Sequence, residues 1–135
     1  MSDRVAHLQI IQGVINRLSQ NSFLLKGWTV VLVSALFALA AGDSEILFVY
    51  LAYLPAIAFW WLDAYFLRQE RLYRALYDEM REVEDADVDF SMDTRSVADR
   101  VATWFKVALS PTIIAFHLTL IGAVALVMVI ALLRQ

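Results

Sequence analysis

Apolar residues along this chain are gathered into three long runs from which charge is absent. No Asp, Glu, Lys or Arg falls between Gly27 and Gly42, between Ile46 and Leu62, or between Val107 and Leu133. A helix at a protein–water boundary carries a polar stripe on every turn; these runs carry none. A bilayer core about 30 Å thick is crossed by roughly 20 apolar residues rising about 1.5 Å each. The pattern therefore predicts three transmembrane helices, over 22–42, 46–67 and 111–133. The stretch Gly42-Asp43-Ser44-Glu45 predicts a tight polar turn that makes the first two spans an antiparallel hairpin. Ser110-Pro111 places an N-cap and a first-turn proline ahead of the third. Pro55 predicts a kink in the second span that frees a carbonyl near Leu51.

The polar segments have periodicities of their own. Val5, Leu8, Ile11, Ile15 and Leu18 recur at three- and four-residue steps and predict an amphipathic helix within 1–21. Leu62, Phe66, Tyr73, Leu76, Met80 and Val83 carry a helical stripe on from the second span through 68–84, with Glu70 and Arg74 at a favourable i,i+4 spacing. Two such stripes leaving one hairpin side by side predict a helical stalk, packed within one chain or between chains. The 85–96 segment reads as an acidic loop. Ser96 and Asp99 have capping-box spacing, and Val97, Val101, Trp104 and Ala108 predict a second amphipathic helix over 97–109. The fold expected is thus all-α, an integral membrane protein of 135 residues in a single membrane domain.

Composition supports the membrane assignment, with 61% hydrophobic and 19% charged residues against about 45–50% and about 25% in soluble domains. The distribution of cations then sets the orientation. Arg4 and Arg17 precede the first span and Lys26 lies near its start, while Arg68, Arg71, Arg74, Arg81, Arg95, Arg100 and Lys106 follow the second. Only Arg134 lies on the other side. The N-terminus and long loop are therefore expected in the cytoplasm, with the C-terminus periplasmic across a cell inner membrane. Trp28, Trp60, Trp61 and Trp104 all fall at the expected cytoplasmic boundary, where indole rings anchor helices. Ala38-Leu39-Ala40 before Ala41-Gly42 resembles a signal-peptidase site, but the preceding 27 residues are too long and too patterned for a basic leader.

Chemistry is sparse. With no cysteine and two histidines, neither a nucleophile–base pair nor a metal site assembles, so no catalytic residue, metal or cofactor is expected. A net charge of −3 without a basic cluster argues against nucleic acid. Asp85, Asp87 and Asp89 suggest calcium, but an EF-hand loop needs Gly and Glu where this chain has Phe90 and Ser96. Ionisable groups within spans are costly and are functional candidates, and here they are Lys26, Asp63 and His117. Lys26 and Asp63 stand equally far from the turn and can pair, with the lysine snorkelling to water. His117 can sense pH, relay a proton or gate a pore, or simply hydrogen-bond Thr119, Ser34 or a tyrosine hydroxyl. Small residues at four-residue steps, Ser34, Ala38 and Gly42 in the first span and Ala115, Thr119 and Ala123 in the third, predict helix-packing faces and association with further copies.

The strings NSFLLKGW (21–28) and FWWLDAYFLRQERLYRALYDEMR (59–81) resemble a family of short bacterial inner-membrane proteins. The resemblance covers the first two thirds of the chain and implies the hairpin-and-stalk layout, without assigning a chemistry. Small multi-span proteins of this layout also serve as membrane effectors in anti-phage defence, an analogy of architecture. Three readings follow. One is a homo-oligomeric, signal-responsive module that opens an ion-conducting pore. Another is a passive anchor that recruits a cytosolic protein through 68–93, and the last is a small transporter subunit.

Overall fold

The computed structural model describes residues 2–43 and 45–135. Four helices carry the fold: α1 (Asp3–Asp43), α2 (Ile46–Met80), α3 (Trp104–Ala108) and α4 (Pro111–Leu133), with 3-10 turns at Asp85–Asp87 and Arg95–Arg100. Among the described residues there is no strand. Three of the helices, α1, α2 and α4, are long and apolar enough to cross a membrane.

The segments 3–21 and 22–42 form one continuous helix. α1 contains no proline and runs unbroken for 41 residues, roughly 60 Å at about 1.5 Å per residue. α2 is likewise continuous over 35 residues, with Pro55 inside it. Ser44, in the expected 42–45 turn, lies outside the described residues.

The two long helices pack side by side along a shared seam. The buried positions on α1 are His7, Ile11, Ile15, Thr29 and Val33, and on α2 they include Val49, Ala52, Ala56, Asp63 and Glu70. Those α2 positions advance by three, four and seven residues, the 3.5-residue repeat of coiled-coil packing. α2 is the central element, with α1 on one flank and α4 on the other. Its alanines let the neighbours approach: Ala52 and Ala56 join Val33 and Val124 in one core, ringed by Leu36, Phe37, Tyr53, Leu120 and Ile121. A second core lies in the polar halves, where Ile11, Ile15 and Leu76 enclose Val97.

Outside this seam the long apolar helices are bare. In the most apolar 18-residue window of each, only 11% to 22% of the residues are buried. Leu54, Ile57, Leu118, Leu126 and Leu133 all face outward. A soluble monomer does not leave apolar surface exposed on this scale. Ser34, Ala38, Gly42, Ala115, Thr119 and Ala123 also point outward, so the close helix contacts within the chain rest on Ala52 and Ala56 instead.

The segment after α2 departs most from expectation. Where a helix over 97–109 is predicted, the chain makes a 3-10 turn at Arg95–Arg100 and then the five-residue α3. The capping box does not form, because the Ser96 hydroxyl donates across to Glu79 Oε2 at 3.0 Å. Val97 is needed in the core between α1 and α2, and a regular helix is given up to insert it. The loop is fixed at its other end too. Asp85 Oδ1 accepts the Arg4 amide at 2.9 Å, satisfying a free N–H at the positive end of α1. His7 Nε2 donates to the Ser91 carbonyl at 2.9 Å. The His7 and Phe90 rings meet at 5.4 Å, with Phe90 in the left-handed region at φ 56°.

Candidate functional site

One ionisable cluster draws a residue from each long helix. Lys26 sits on the inward face of α1, one turn after Ser22. Asp63 lies on α2 and His117 on α4, two turns after Pro111 sets the start of that helix. Lys26 Nζ approaches Asp63 Oδ2 at 2.6 Å. His117 Nε2 lies 2.7 Å from the same oxygen. The Ser22 hydroxyl donates to Asp63 Oδ1 and accepts from Lys26 Nζ at 3.0 Å. Both carboxylate oxygens are thereby satisfied, one by a hydroxyl and the other by two nitrogen donors. This is the condition under which a buried carboxylate is tolerated.

Burial differs across the cluster. Asp63 and His117 are inaccessible, while the Lys26 side chain keeps 24% of its surface exposed. Lysine is thus the more exposed of the three, while its ammonium still reaches the buried carboxylate. The imidazole is fixed on three sides. Trp60 stacks on it with centroids 6.1 Å apart and planes within 5°, and Phe116 meets it edge-on at 5.0 Å. Nε2 faces the carboxylate, and the other ring nitrogen, Nδ1, is buried without a partner. A buried polar atom with no partner is uncommon.

Tryptophans stand in the same layer and tie it to α3. The Trp60 indole donates to the Ala108 carbonyl at 3.0 Å, and Trp104 donates to the Trp61 carbonyl at 3.3 Å. Arg68 Nε reaches the Ala102 carbonyl at 3.2 Å. Trp28 and Trp61 face outward, 60% and 54% exposed. Farther along α2, the Arg74 guanidinium donates to Glu70 at 3.0 Å.

The structure therefore brings Lys26, Asp63 and His117 together, with Trp60 against them. It leaves the six small residues and Trp28 on the outside. His117 bonds none of the partners proposed from sequence: Thr119 donates to the Ala115 carbonyl one turn back, and Ser34 is exposed. Sequence reasoning missed Ser22, whose i,i+4 spacing to Lys26 was the available signal. It also missed His7, which shares a stripe with Ile11 and Ile15. Among the described residues no group of three or more His, Asp or Glu side chains is placed to hold a metal. Compared with known proteins, the chain matches no family model, and no curated protein or solved structure is significantly similar to it.

Proposed function

We propose that this chain is a multi-pass inner-membrane protein, N-terminus cytoplasmic, that assembles with copies of itself into a signal-responsive ion-conducting module. The Lys26–Asp63–His117 cluster is its latch. The observation that carries this reading is the single carboxylate of Asp63, held at once by a lysine from α1 and a histidine from α4. Burying ionisable groups among apolar helices is expensive, and simple packing of three spans does not require it.

One chain alone is closed. Val33, Ala52, Ala56 and Val124 fill the space between the three helices beyond the cluster, so an ion path requires several chains or an opened latch. The outward small-residue faces on α1 and α4 are suited to close contact between copies. A signal received by the polar halves of α1 and α2 reaches Lys26 and Asp63 along the same two helices. The test is membrane potential, read with a voltage-sensitive dye during induced expression. Wild-type chain is expected to depolarise the membrane and Asp63→Ala to depolarise it further, because the latch is then open. An unchanged potential with wild type, Asp63→Ala and His117→Ala alike overturns the reading.

A second reading is favoured by the loop after α2. Glu84, Asp85, Asp87 and Asp89 are exposed on a segment pinned at Arg4 and His7, which presents fixed acidic groups to a basic cytosolic partner. In that case the chain is an anchor. Replacing Glu84, Asp87 and Asp89 with glutamine abolishes capture of the partner, while substitutions in the spans leave it intact.

A further inference from the structure

At the end of the bundle opposite the ionisable cluster, α1, α2 and α4 diverge around a cavity of about 420 Å³. Its lining is mostly apolar, with Phe37, Val49, Val127, Ile130 and Ala131 among others, and it also includes the charged Glu45 and Arg134. The volume is in the range that takes up a small molecule or part of a lipid. Glu45 is the N-cap residue of α2 but makes no side-chain cap bond. Among the described residues the ion pairs are all formed elsewhere. Glu45 and Arg134 thus line the same opening without forming an ion pair with each other.

Each helix end sets a partial charge of the opposite sign beside one of these side chains, so the opening carries positions of both signs. α2 begins beside Glu45 and offers first-turn amides and the positive end of its dipole. α4 ends beside Arg134 with free carbonyls and the negative end of its dipole. The mouth therefore offers both an anion-attracting and a cation-attracting position above an apolar interior. A ligand that matches it carries a phosphate and an ammonium close together on an apolar tail. A singly anionic headgroup would meet the Glu45 carboxylate, and a simple hydrocarbon would leave both side-chain charges without a ligand counterpart.

We infer that this cavity binds a zwitterionic aminophospholipid, with an acyl chain against the Phe37–Val127 wall and the headgroup spanning Glu45 and Arg134. The inference rests on the membrane reading given above, but not on ion conduction.

The experiment uses the full chain purified in detergent. It is mixed in turn with dioleoyl phosphatidylethanolamine, dioleoyl phosphatidylcholine and dioleoyl phosphatidylglycerol, and retained lipid is read by native mass spectrometry. Phosphatidylethanolamine is expected to be retained most strongly, because its primary ammonium can donate hydrogen bonds to Glu45. Arg134→Gln is expected to weaken its retention roughly tenfold, the equivalent of one charge-assisted contact. Glu45→Gln removes the preference over phosphatidylglycerol, and since Glu45 makes no cap bond this change leaves α2 intact. Ala131→Phe, which fills the cavity, weakens retention of every lipid. Equal retention of the three lipids, or retention indifferent to these substitutions, overturns the site. Alkaline carbonate extraction separates the two levels of the claim. A chain washed from membranes overturns the membrane reading and the lipid site together, whereas a chain that resists extraction yet ignores headgroup overturns the lipid site alone.

Discussion

His117 Nε2 and Asp63 Oδ2 lie 2.7 Å apart with neither residue accessible to solvent, although 54 positions separate them in the chain. The same oxygen also takes the Lys26 ammonium. Asp63 is therefore the common node of three helices. Removing it strands a lysine and a histidine, whereas removing either partner still leaves the carboxylate the other and the Ser22 hydroxyl.

That asymmetry ranks the substitutions. Asp63→Ala is expected to cost about 3 kcal/mol of stability, the scale of a buried pair broken from one side. Lys26→Met and His117→Phe are each expected to cost less. The combination Lys26→Met, Asp63→Leu and His117→Phe is expected to recover most of the loss, since apolar groups of similar volume replace a buried ionic cluster with little penalty. Thermal unfolding in detergent, followed by circular dichroism, measures all four.

Trp60 tests how the cluster is held from outside. Its indole N–H to the Ala108 carbonyl closes the C-terminal turn of α3. Trp60→Phe keeps an aromatic face near His117 but loses that bond, at a cost of about 1 kcal/mol. Trp104→Phe removes the longer bond to Trp61, made at an exposed site, and is expected to cost less. The difference between the two variants in the same melts checks the ranking.

Val97 and His7 hold the loop after α2. Val97→Ala removes two methyl groups from a fully buried site between Ile11, Ile15 and Leu76, with an expected loss of about 2 kcal/mol. His7→Ala deletes the bond to Ser91 and the contact with Phe90. Both are expected to expose 84–101 to limited proteolysis while leaving 46–80 resistant. Unchanged cleavage in both variants would show that the loop is held by other contacts.

In the same loop, the Arg95 guanidinium grips the Asp93 carboxylate through its Nε and terminal nitrogen. Side-chain and backbone hydrogen bonds from Arg95 hold the carboxyl down at about 2, below its ordinary value of 3.8. A depressed carboxyl pKa contributes order that is complete above the ordinary value and lost as pH falls through the depressed one. The Arg95 Nε–H resonance is thus expected to stay shifted at pH 3 and to relax near pH 2. In Asp93→Asn it is expected to be unshifted at both.

The parts of this architecture legible in the sequence are those set by composition along a single segment. Length and freedom from charge locate the three apolar helices, and equal distance from the turn suffices to align Lys26 with Asp63. The placement of α4 depends on a long connection whose course no local pattern reveals. The partner of His117 was for that reason out of reach. Packing between α1 and α2 uses Ala52 and Ala56 with larger neighbours, so the more conspicuous Ser34–Ala38–Gly42 row lies outside, where a further chain could cover it. At 97–109 a good helical pattern lost to tertiary demand: Val97 fills a hole in another pair of helices, and Ser96 is diverted to Glu79.

The unbroken course of α1 has a mechanical consequence. Ile11, Ile15, Ser22 and Lys26 follow one another by four and seven residues and stay on one side of a single rod. Such a rod transmits torsion. Rolling it at one end by the arc between adjacent residues, about 100°, would lift Ile11 and Ile15 off Leu76 and carry Lys26 away from Asp63 in the same stroke. α1 is in this sense a crankshaft, with a polar handle some 25 Å from the charge it turns.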